Sequence, residues 1–188
     1  SFYKHPLIDF ELLAAHSEGL NIGSGCLGGV VAEYLKIGDV DTAEKNLAAL
    51  YDIFGPEHLF VEVMDHGLAV ERRIVVPELV RLAGKFGLPL VATNDSHYAC
   101  ADDAEAHEVM LAVGTHGVYG AESTFRFTGS GYHLRTEAEM RAVSKVDWWQ
   151  QAVTNTQLFA DMVEPNIVAD TVGSGLKLPN YTADDGAD

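Results

Sequence analysis

Two apolar runs of strand-forming residues, separated by one helical segment, constrain the fold of this chain more than any other feature. The runs cover residues 59–64 and 88–93 and are rich in Leu, Val or Phe. The segment between them contains Pro77, which is tolerated in the first turn of a helix, and ends at Gly87. Because strand–helix–strand order with short links produces a right-handed parallel crossover, the sequence predicts an α/β fold with a parallel sheet.

The remaining segments predict one short strand and several helices. The strand covers residues 20–23, and Thr136 and Glu139 form a capping box that begins one helix. Three of the other helices are expected to begin at a capping aspartate, which is Asp9, Asp41 or Asp102. The expected ranges of these other helices are 7–16, 30–35, 41–54, 102–113 and 147–162.

The formal net charge of −16 argues against a DNA-binding surface on this chain alone. A surface that holds phosphate groups needs clustered lysine and arginine, whereas the basic residues here are scattered, apart from Arg72 and Arg73. If the chain works on nucleic acid, a partner or another part of the protein supplies the positive groove, or metal ions bind the phosphates.

The size and composition predict one soluble, cytoplasmic domain. A chain of 188 residues can bury a full core. It has no run of about 18 apolar residues, and its first six residues lack the pattern of a signal peptide. Cys26 and Cys100 are the only cysteines, so no disulfide framework is expected.

Asp95 and His97 follow the second apolar run and are the first candidate for a functional site. Side chains alternate along a strand, so both point to the same face as the strand ends. A carboxylate beside an imidazole suits a metal ion, and α/β folds place their chemistry at strand ends. The alternative is that Asp95 caps the following helix and His97 is half-exposed.

Three further residues are candidates for positions near this site. Cys26 lies in a glycine-rich turn, where its thiolate would bind the same metal, unless it is a small buried hydrophobe. Glu62 lies within an apolar strand and needs a partner, either a metal-bound histidine or Arg72 or Arg73. His66 follows that strand as a metal ligand or as a hydrogen-bonding residue of the loop.

The order of these motifs resembles the polymerase and histidinol phosphatase (PHP) domain of bacterial and phage DNA polymerase III α subunits. The most specific match is Leu88-Pro89-Leu90-Val91-Ala92-Thr93-Asn94-Asp95-Ser96-His97-Tyr98, which is close to the Asp-x-His signature of that family. Other matching segments are 18–20, 24–29, 60–67, 102–107, 125–127, 132–136, 139–140, 155–156 and 160. Residues 114–119 depart from the family's Thr-Gly-Lys-Thr-Leu pattern.

The resemblance implies a domain organisation. Residues 1–113 would be the C-terminal part of a distorted parallel β/α barrel, and residues 114–165 its helical and irregular continuation. Residues 166–188 would link this domain to a polymerase core that is absent from the chain. The family's opening His-x-His strand is also missing, so we expect a fragment or one piece of a split protein.

The resemblance also implies functions for the site. Asp95 and His97 would be catalytic metal ligands and Cys26 a third ligand, for zinc or manganese, while the polymerase core would use magnesium. In intact members the whole subunit synthesises DNA, and the PHP domain is a 3′–5′ proofreading phosphodiesterase or a scaffold that docks an exonuclease.

The expected partners are DNA through the rest of the polymerase, the missing N-terminal PHP segment, and a proofreading exonuclease or other replisome subunits. No membrane is expected among them. The fragment alone is expected to be inactive. A stand-alone PHP phosphoesterase is a further alternative.

Overall fold

The computed structural model of the chain describes residues 2, 3 and 5–166. Two short strands, β1 (Phe2–Tyr3) and β2 (His5–Pro6), form an antiparallel pair. The remaining strands and the helices are, in chain order, α1 (Phe10–Ala15), β3 (Ile22–Gly23), α2 (Ala32–Lys36), α3 (Val40–Phe54), β4 (Leu59–Val63), α4 (Val76–Phe86), β5 (Leu90–Ala92), α5 (Ala104–Gly114), α6 (Glu137–Val143) and α7 (Asp147–Asp161). A π-helical turn (Glu71–Val75) precedes α4, and a 3₁₀ turn (Ala101–Asp103) precedes α5.

A three-stranded parallel sheet lies at the centre of the fold, with strand order β3-β4-β5. Ile22 pairs with Leu59, and Val61 pairs with Leu90, so the carboxyl ends of all three strands meet at one edge. The predicted strand–helix–strand crossover is confirmed, because β4 and β5 are parallel and α4 connects them. The α/β class is therefore correct, although the described residues form an open sheet of three strands and no closed barrel.

The core lies where α3, α4 and α7 cover the sheet. Leu47 of α3, Leu82 of α4 and Ala152 of α7 are completely buried, and β4 is buried along nearly its whole length. Trp149 is 1% exposed, and its indole N–H donates to the carbonyl of Met140, which ties α7 to α6. Helix α3 packs inward through its buried apolar face, which consists of Ala43, Leu47, Leu50 and Phe54.

Two helix starts differ from the sequence prediction. The cap of α3 is Asp39 rather than Asp41, because the Asp39 carboxylate accepts from both the N–H and the hydroxyl of Thr42. The 3₁₀ turn before α5 begins after Cys100, whose N–H donates to the carboxylate of Asp103, so Asp102 is not the cap.

The other helix signals are confirmed. Asp9 caps α1, and the capping box of Thr136 and Glu139 begins α6. Pro77 lies in the first turn of α4, and Gly87 ends that helix in the left-handed conformation, with φ of +68°. None of the described helices is long and apolar enough to cross a membrane. The domain boundary between residues 113 and 114 stays a prediction. The predicted linker covers residues 166–188, and all of it after residue 166 lies outside the described residues.

Removing a core side chain from α3 tests this arrangement. Leu47→Ala is expected to lower the free energy of unfolding by about 2–5 kcal/mol, because it deletes buried methyl groups and leaves a cavity. The same substitution at Leu7, which is 70% exposed, is expected to change stability by less than about 0.5 kcal/mol. Urea unfolding of both variants measures the difference, and equal effects would contradict the described core.

Candidate functional site

The segments that follow β3, β4 and β5 bring their polar residues to the same edge of the sheet. Cys26 follows β3, His66 follows β4, and Asp95 and His97 follow β5. Parallel pairing explains this placement, because the carboxyl ends of neighbouring strands lie side by side. Ligand sites of open α/β sheets also lie at this edge.

The most buried polar contact at this edge joins His66 and Glu71. Their side chains are 2% and 1% exposed. The imidazole Nδ1 of His66 lies 2.8 Å from Oε1 of Glu71, and the backbone N–H of His66 donates to Oε2 at 2.7 Å. Both carboxylate oxygens are therefore bonded to one residue, which offsets the cost of burying the carboxylate.

The charge state of His66 depends on Glu71. Burial lowers the pKa of the imidazole, but the hydrogen bonds to Glu71 and to the carbonyl of Asn94, together with the charge of Glu71, outweigh it. The net result is a raised pKa for His66. The folded structure therefore favours the protonated imidazole, which donates from both nitrogens.

Asn94 connects the end of β5 to a distant segment of the chain. Its side-chain amide donates to the carbonyls of Gly131 and His133, both at 2.7 Å, and its own carbonyl lies 3.0 Å from Nε2 of His66. Asn94 therefore bonds to the β4 loop through its backbone and to residues 131–133 through its side chain. This fixes the loop that carries Asp95.

Tyr132 covers the site from above the strand ends. Its ring stacks on the ring of His66 with centroids 4.0 Å apart, and its hydroxyl donates to the carbonyl of Thr128. The backbone N–H of His97 donates to the Tyr132 carbonyl at 2.7 Å. Burial, followed by the charges of Glu71 and Asp95, raises the pKa of Tyr132 to about 12, so the phenol stays protonated at neutral pH.

Asp95 and His97 lie together, as the alternation of the sequence predicts. His97 Nε2 lies 3.4 Å from Asp95 Oδ1, and each side chain is about one third exposed. Asp95 has a φ of +41°, a left-handed conformation that aspartate tolerates better than most residues. The ring of His97 also contacts Phe127, with centroids 4.5 Å apart, and lies 5.6 Å from that of His107.

Cys26 lies at the same edge but in a different environment. It borders a small cleft with Glu62, Met64 and Glu71. Within residues 2–3 and 5–166, no group of three or more His, Cys, Asp or Glu side chains is placed to hold a metal ion. The structure therefore brings Asp95 and His97 together without adding Cys26 to the pair, and its role as a third ligand stays a prediction.

Glu62 fastens the glycine-rich turn that carries Cys26. Its Oε1 accepts from the N–H of Gly25 at 2.8 Å, and its own N–H donates to the hydroxyl of Ser24. A Cβ at position 23 would lie 2.2 Å from Oε1 of Glu62, so a larger residue there would force the Glu62 carboxylate to move away from this turn. Of the two partners predicted for Glu62, the arginine is wrong, because the carboxylate accepts from the N–H of Gly25 in this turn.

The arginine in question binds a different carboxylate. Arg72 pairs with Asp65, with Nε and Oδ1 2.9 Å apart. His66 was predicted to be either a metal ligand or a hydrogen-bonding residue of the loop. The structure supports the second, because both ring nitrogens lie within hydrogen-bonding distance of protein oxygens.

Glu71, Asn94 and Tyr132 were not predicted as residues of the site. Asn94 was visible as the polar residue between the apolar run and Asp95, on the alternate face. Glu71 carried no such signal, because it belongs to a charged stretch before a helix, where an exposed side chain is expected. In the structure it is only 1% exposed.

These features define an α/β domain with a polar site at the carboxyl ends of parallel strands. The PHP domain family matches residues 1–66. DNA polymerase III subunit alpha of Saccharopolyspora erythraea is 42% identical over 86% of this chain, and that of Mycobacterium tuberculosis is 37% identical over 98%. The subunit of Thermus aquaticus is 36% identical over 88% of the chain.

The matched region covers only a small part of each relative. It amounts to 13% of the Saccharopolyspora subunit, 15% of the Mycobacterium subunit and 14% of the Thermus subunit. The chain belongs to the PHP domain family, in the form carried by bacterial DNA polymerase III alpha subunits. The resemblance seen in the sequence is thereby confirmed.

Replacing Glu71 by glutamine tests the buried pair. A raised pKa of His66 stabilises the folded state fully below the unfolded pKa of about 6.5, and this stabilisation is lost as pH rises through the folded pKa. Without the Glu71 charge, burial dominates, and the contribution of His66 to the pH dependence is expected to flatten or reverse. Urea unfolding between about pH 6 and pH 8 measures the slope.

Glu57→Gln serves as the control, because Glu57 is exposed. It is expected to keep the slope of the parent chain. If Glu71→Gln also keeps that slope, the assigned role of the pair is wrong.

Proposed function

We propose that this chain works as part of the PHP domain of a replicative DNA polymerase catalytic subunit. There it contributes donors to a cation site for phosphodiester hydrolysis at a DNA 3′ end. The observation that carries the proposal is the Asp95–His97 pair, 3.4 Å apart at the carboxyl end of a buried parallel strand. Family membership supplies the polymerase context.

The metal-binding side chains of this chain are of the right chemical type for a cation, but there are too few of them to complete a site. A carboxylate and an imidazole suit zinc or manganese, and Cys26 would favour zinc as a further donor. Two adjacent donors do not complete the four to six ligands that such ions take, so we propose that other parts of the subunit supply the remaining ligands. A bound cation would lower the pKa of a water molecule and stabilise negative charge on phosphate oxygens.

The surrounding residues hold the pair in place. His66 and Asn94 fix the backbone before Asp95, and Tyr132 accepts from the N–H of His97. Precise positioning of this kind determines whether donors and substrate meet in reactive geometry. These residues are positioning residues, since none of them is proposed to contact the phosphate.

The charge of the chain assigns DNA binding to other parts of the polymerase. With a net charge of −16, the chain repels a DNA backbone unless cations or a basic partner surface intervene. We therefore propose that the polymerase core, which uses magnesium, carries the DNA. The complementary N-terminal PHP segment completes the cation site, and the assembly works in the cytoplasm with other replisome subunits.

A non-catalytic scaffold is the second candidate function. Two observations favour it. The described residues contain no group of three metal donors. The outer face of α5 also exposes Val109, Met110 and Val113, of which Met110 is 68% exposed, and such a face suits the docking of an exonuclease subunit.

Metal titration of the chain separates the two functions. Asp95→Asn and His97→Gln are each expected to weaken binding of Zn²⁺ or Mn²⁺ by roughly tenfold or more, because each removes a donor. Cys26→Ser is expected to weaken Zn²⁺ more than Mn²⁺. Isothermal titration calorimetry gives the affinities, with His16→Gln as a control that removes an exposed histidine. Equal affinities in all variants would favour the scaffold.

A nuclease assay tests whether the chain alone is sufficient. The purified chain is expected to release no nucleotides from a 3′-labelled single strand in the presence of Zn²⁺ or Mn²⁺, because its cation site is incomplete. Release that disappears in the Asp95→Asn variant would contradict this expectation and show a complete site.

A further inference from the structure

Four buried polar atoms without hydrogen-bond partners lie on two segments, one directly after β5 and one directly before α6. Within the described residues they are Thr93 Oγ1, Asn94 Oδ1, His133 Nδ1 and Arg135 Nη1. The two segments that carry them are joined, because the Asn94 amide donates to the carbonyl of His133. Buried polar atoms are nearly always paired, so a concentration of unpaired ones requires a specific explanation.

Of these residues, Asn94 and Arg135 line a cavity of about 470 Å³ between β5, α6 and α7. The volume lies in the range of small-molecule sites. Asn94 and Ser96 line the cavity, whereas Asp95 and His97 are not part of its wall. The loop after β5 therefore presents alternate residues to two places, with the Asp95–His97 pair at one and this cavity at the other.

Two guanidinium groups and one carboxylate line the cavity, and the carboxylate of Glu137 pairs with Arg141, which leaves Arg135 as the group with unused N–H donors. Arg141 is held by Glu137 at 2.8 Å and by the hydroxyl of Thr154 at 3.2 Å. Arg135 has no hydrogen bond or ion pair within the residues that the structure describes. Its guanidinium packs against Gly131, where a Cβ would lie 1.8 Å from Nη2, so the glycine makes room for it.

The lining selects the chemistry of a ligand. A guanidinium suits phosphate oxygens, and Asn94 and Ser96 add polar side chains to the same wall. The rest of the wall combines the polar side chains of Thr154, Thr156 and Gln157 with apolar side chains that offer a surface for a flat ring. These apolar side chains are Ala92, Leu134, Met140 and Val153.

We propose that this cavity binds a deoxynucleoside 5′-monophosphate, with Arg135 on the phosphate, Asn94 on the sugar hydroxyl or the base, and the apolar wall along the base. This inference rests on the proposed function. Hydrolysis at a 3′ end adds water across the last phosphodiester bond. The phosphorus gains the water oxygen, the preceding 3′ oxygen leaves with a proton, and a nucleoside 5′-monophosphate is released. The cavity lies beside the loop that carries Asp95 and receives that product.

Calorimetric titration of the chain with dAMP tests the proposal, with deoxyadenosine and inorganic phosphate as separate probes. We expect dAMP to bind more tightly than either part. Arg135→Gln is expected to weaken dAMP by about tenfold or more, because it removes a charge-assisted contact to the phosphate. The affinity of the Arg135→Gln variant for deoxyadenosine is expected to equal that of the parent chain. Arg73→Gln, which removes an exposed arginine outside the cavity, is expected to bind dAMP like the parent chain.

Failure of dAMP to bind overturns the proposal, as does equal affinity of Arg135→Gln and the parent chain. Equal affinity for dAMP and inorganic phosphate also overturns it. The urea unfolding midpoint of Arg135→Gln verifies that the variant is folded, since Arg135 is only partly buried.

The Asp95→Asn variant separates this proposal from the proposed function. It is expected to keep its affinity for dAMP while losing metal affinity. If metal binding depends on Asp95 but dAMP does not bind, only the cavity assignment fails. If dAMP binds as expected but metal affinity is independent of Asp95, only the proposed cation site fails.

Discussion

The buried contact between His66 and Glu71 is the interaction on which the rest of the site depends. It satisfies a carboxylate that is 1% exposed, and it orients the imidazole so that its other nitrogen meets the carbonyl of Asn94. Two loops that follow neighbouring strands are thereby held at a fixed spacing. An apolar pair at these positions would fill the space but would not specify the orientation of the β5 loop.

The order of helices and strands could be predicted from the sequence, whereas the buried polar network could not. Local signals such as the capping box at Thr136 and the glycine stop at Gly87 act over a few residues, and they located helices correctly. The Asp39 cap was missed because Asp39 and Asp41 are both plausible caps, and only the contacts to Thr42 distinguish them. The pairing of Glu71 with His66 depends on a turn whose course no periodicity predicts.

The candidate site shows the same division. Alternation along the strand end predicted that Asp95 and His97 would be neighbours, and this requires only local geometry. The partner of Glu62 was not predictable, because it is a backbone N–H at Gly25, 37 residues earlier in the chain. Contacts to backbone groups leave no mark on the partner's side chain, so residue types alone do not reveal them.

The contacts of Asn94 with Gly131 and His133 span 37 and 39 residues of sequence. Contacts over such separations form only after a large loop has closed, and that closure carries an entropic cost. All three strands of the sheet end before residue 93, so they precede residues 131–133 in the chain and can pair before those residues arrive. The loop that carries Asp95 therefore reaches its final shape only when residues 131–133 arrive, which follow the strands in the order of synthesis. A ribosome-bound chain would hold a formed sheet with an unformed site until those residues had emerged.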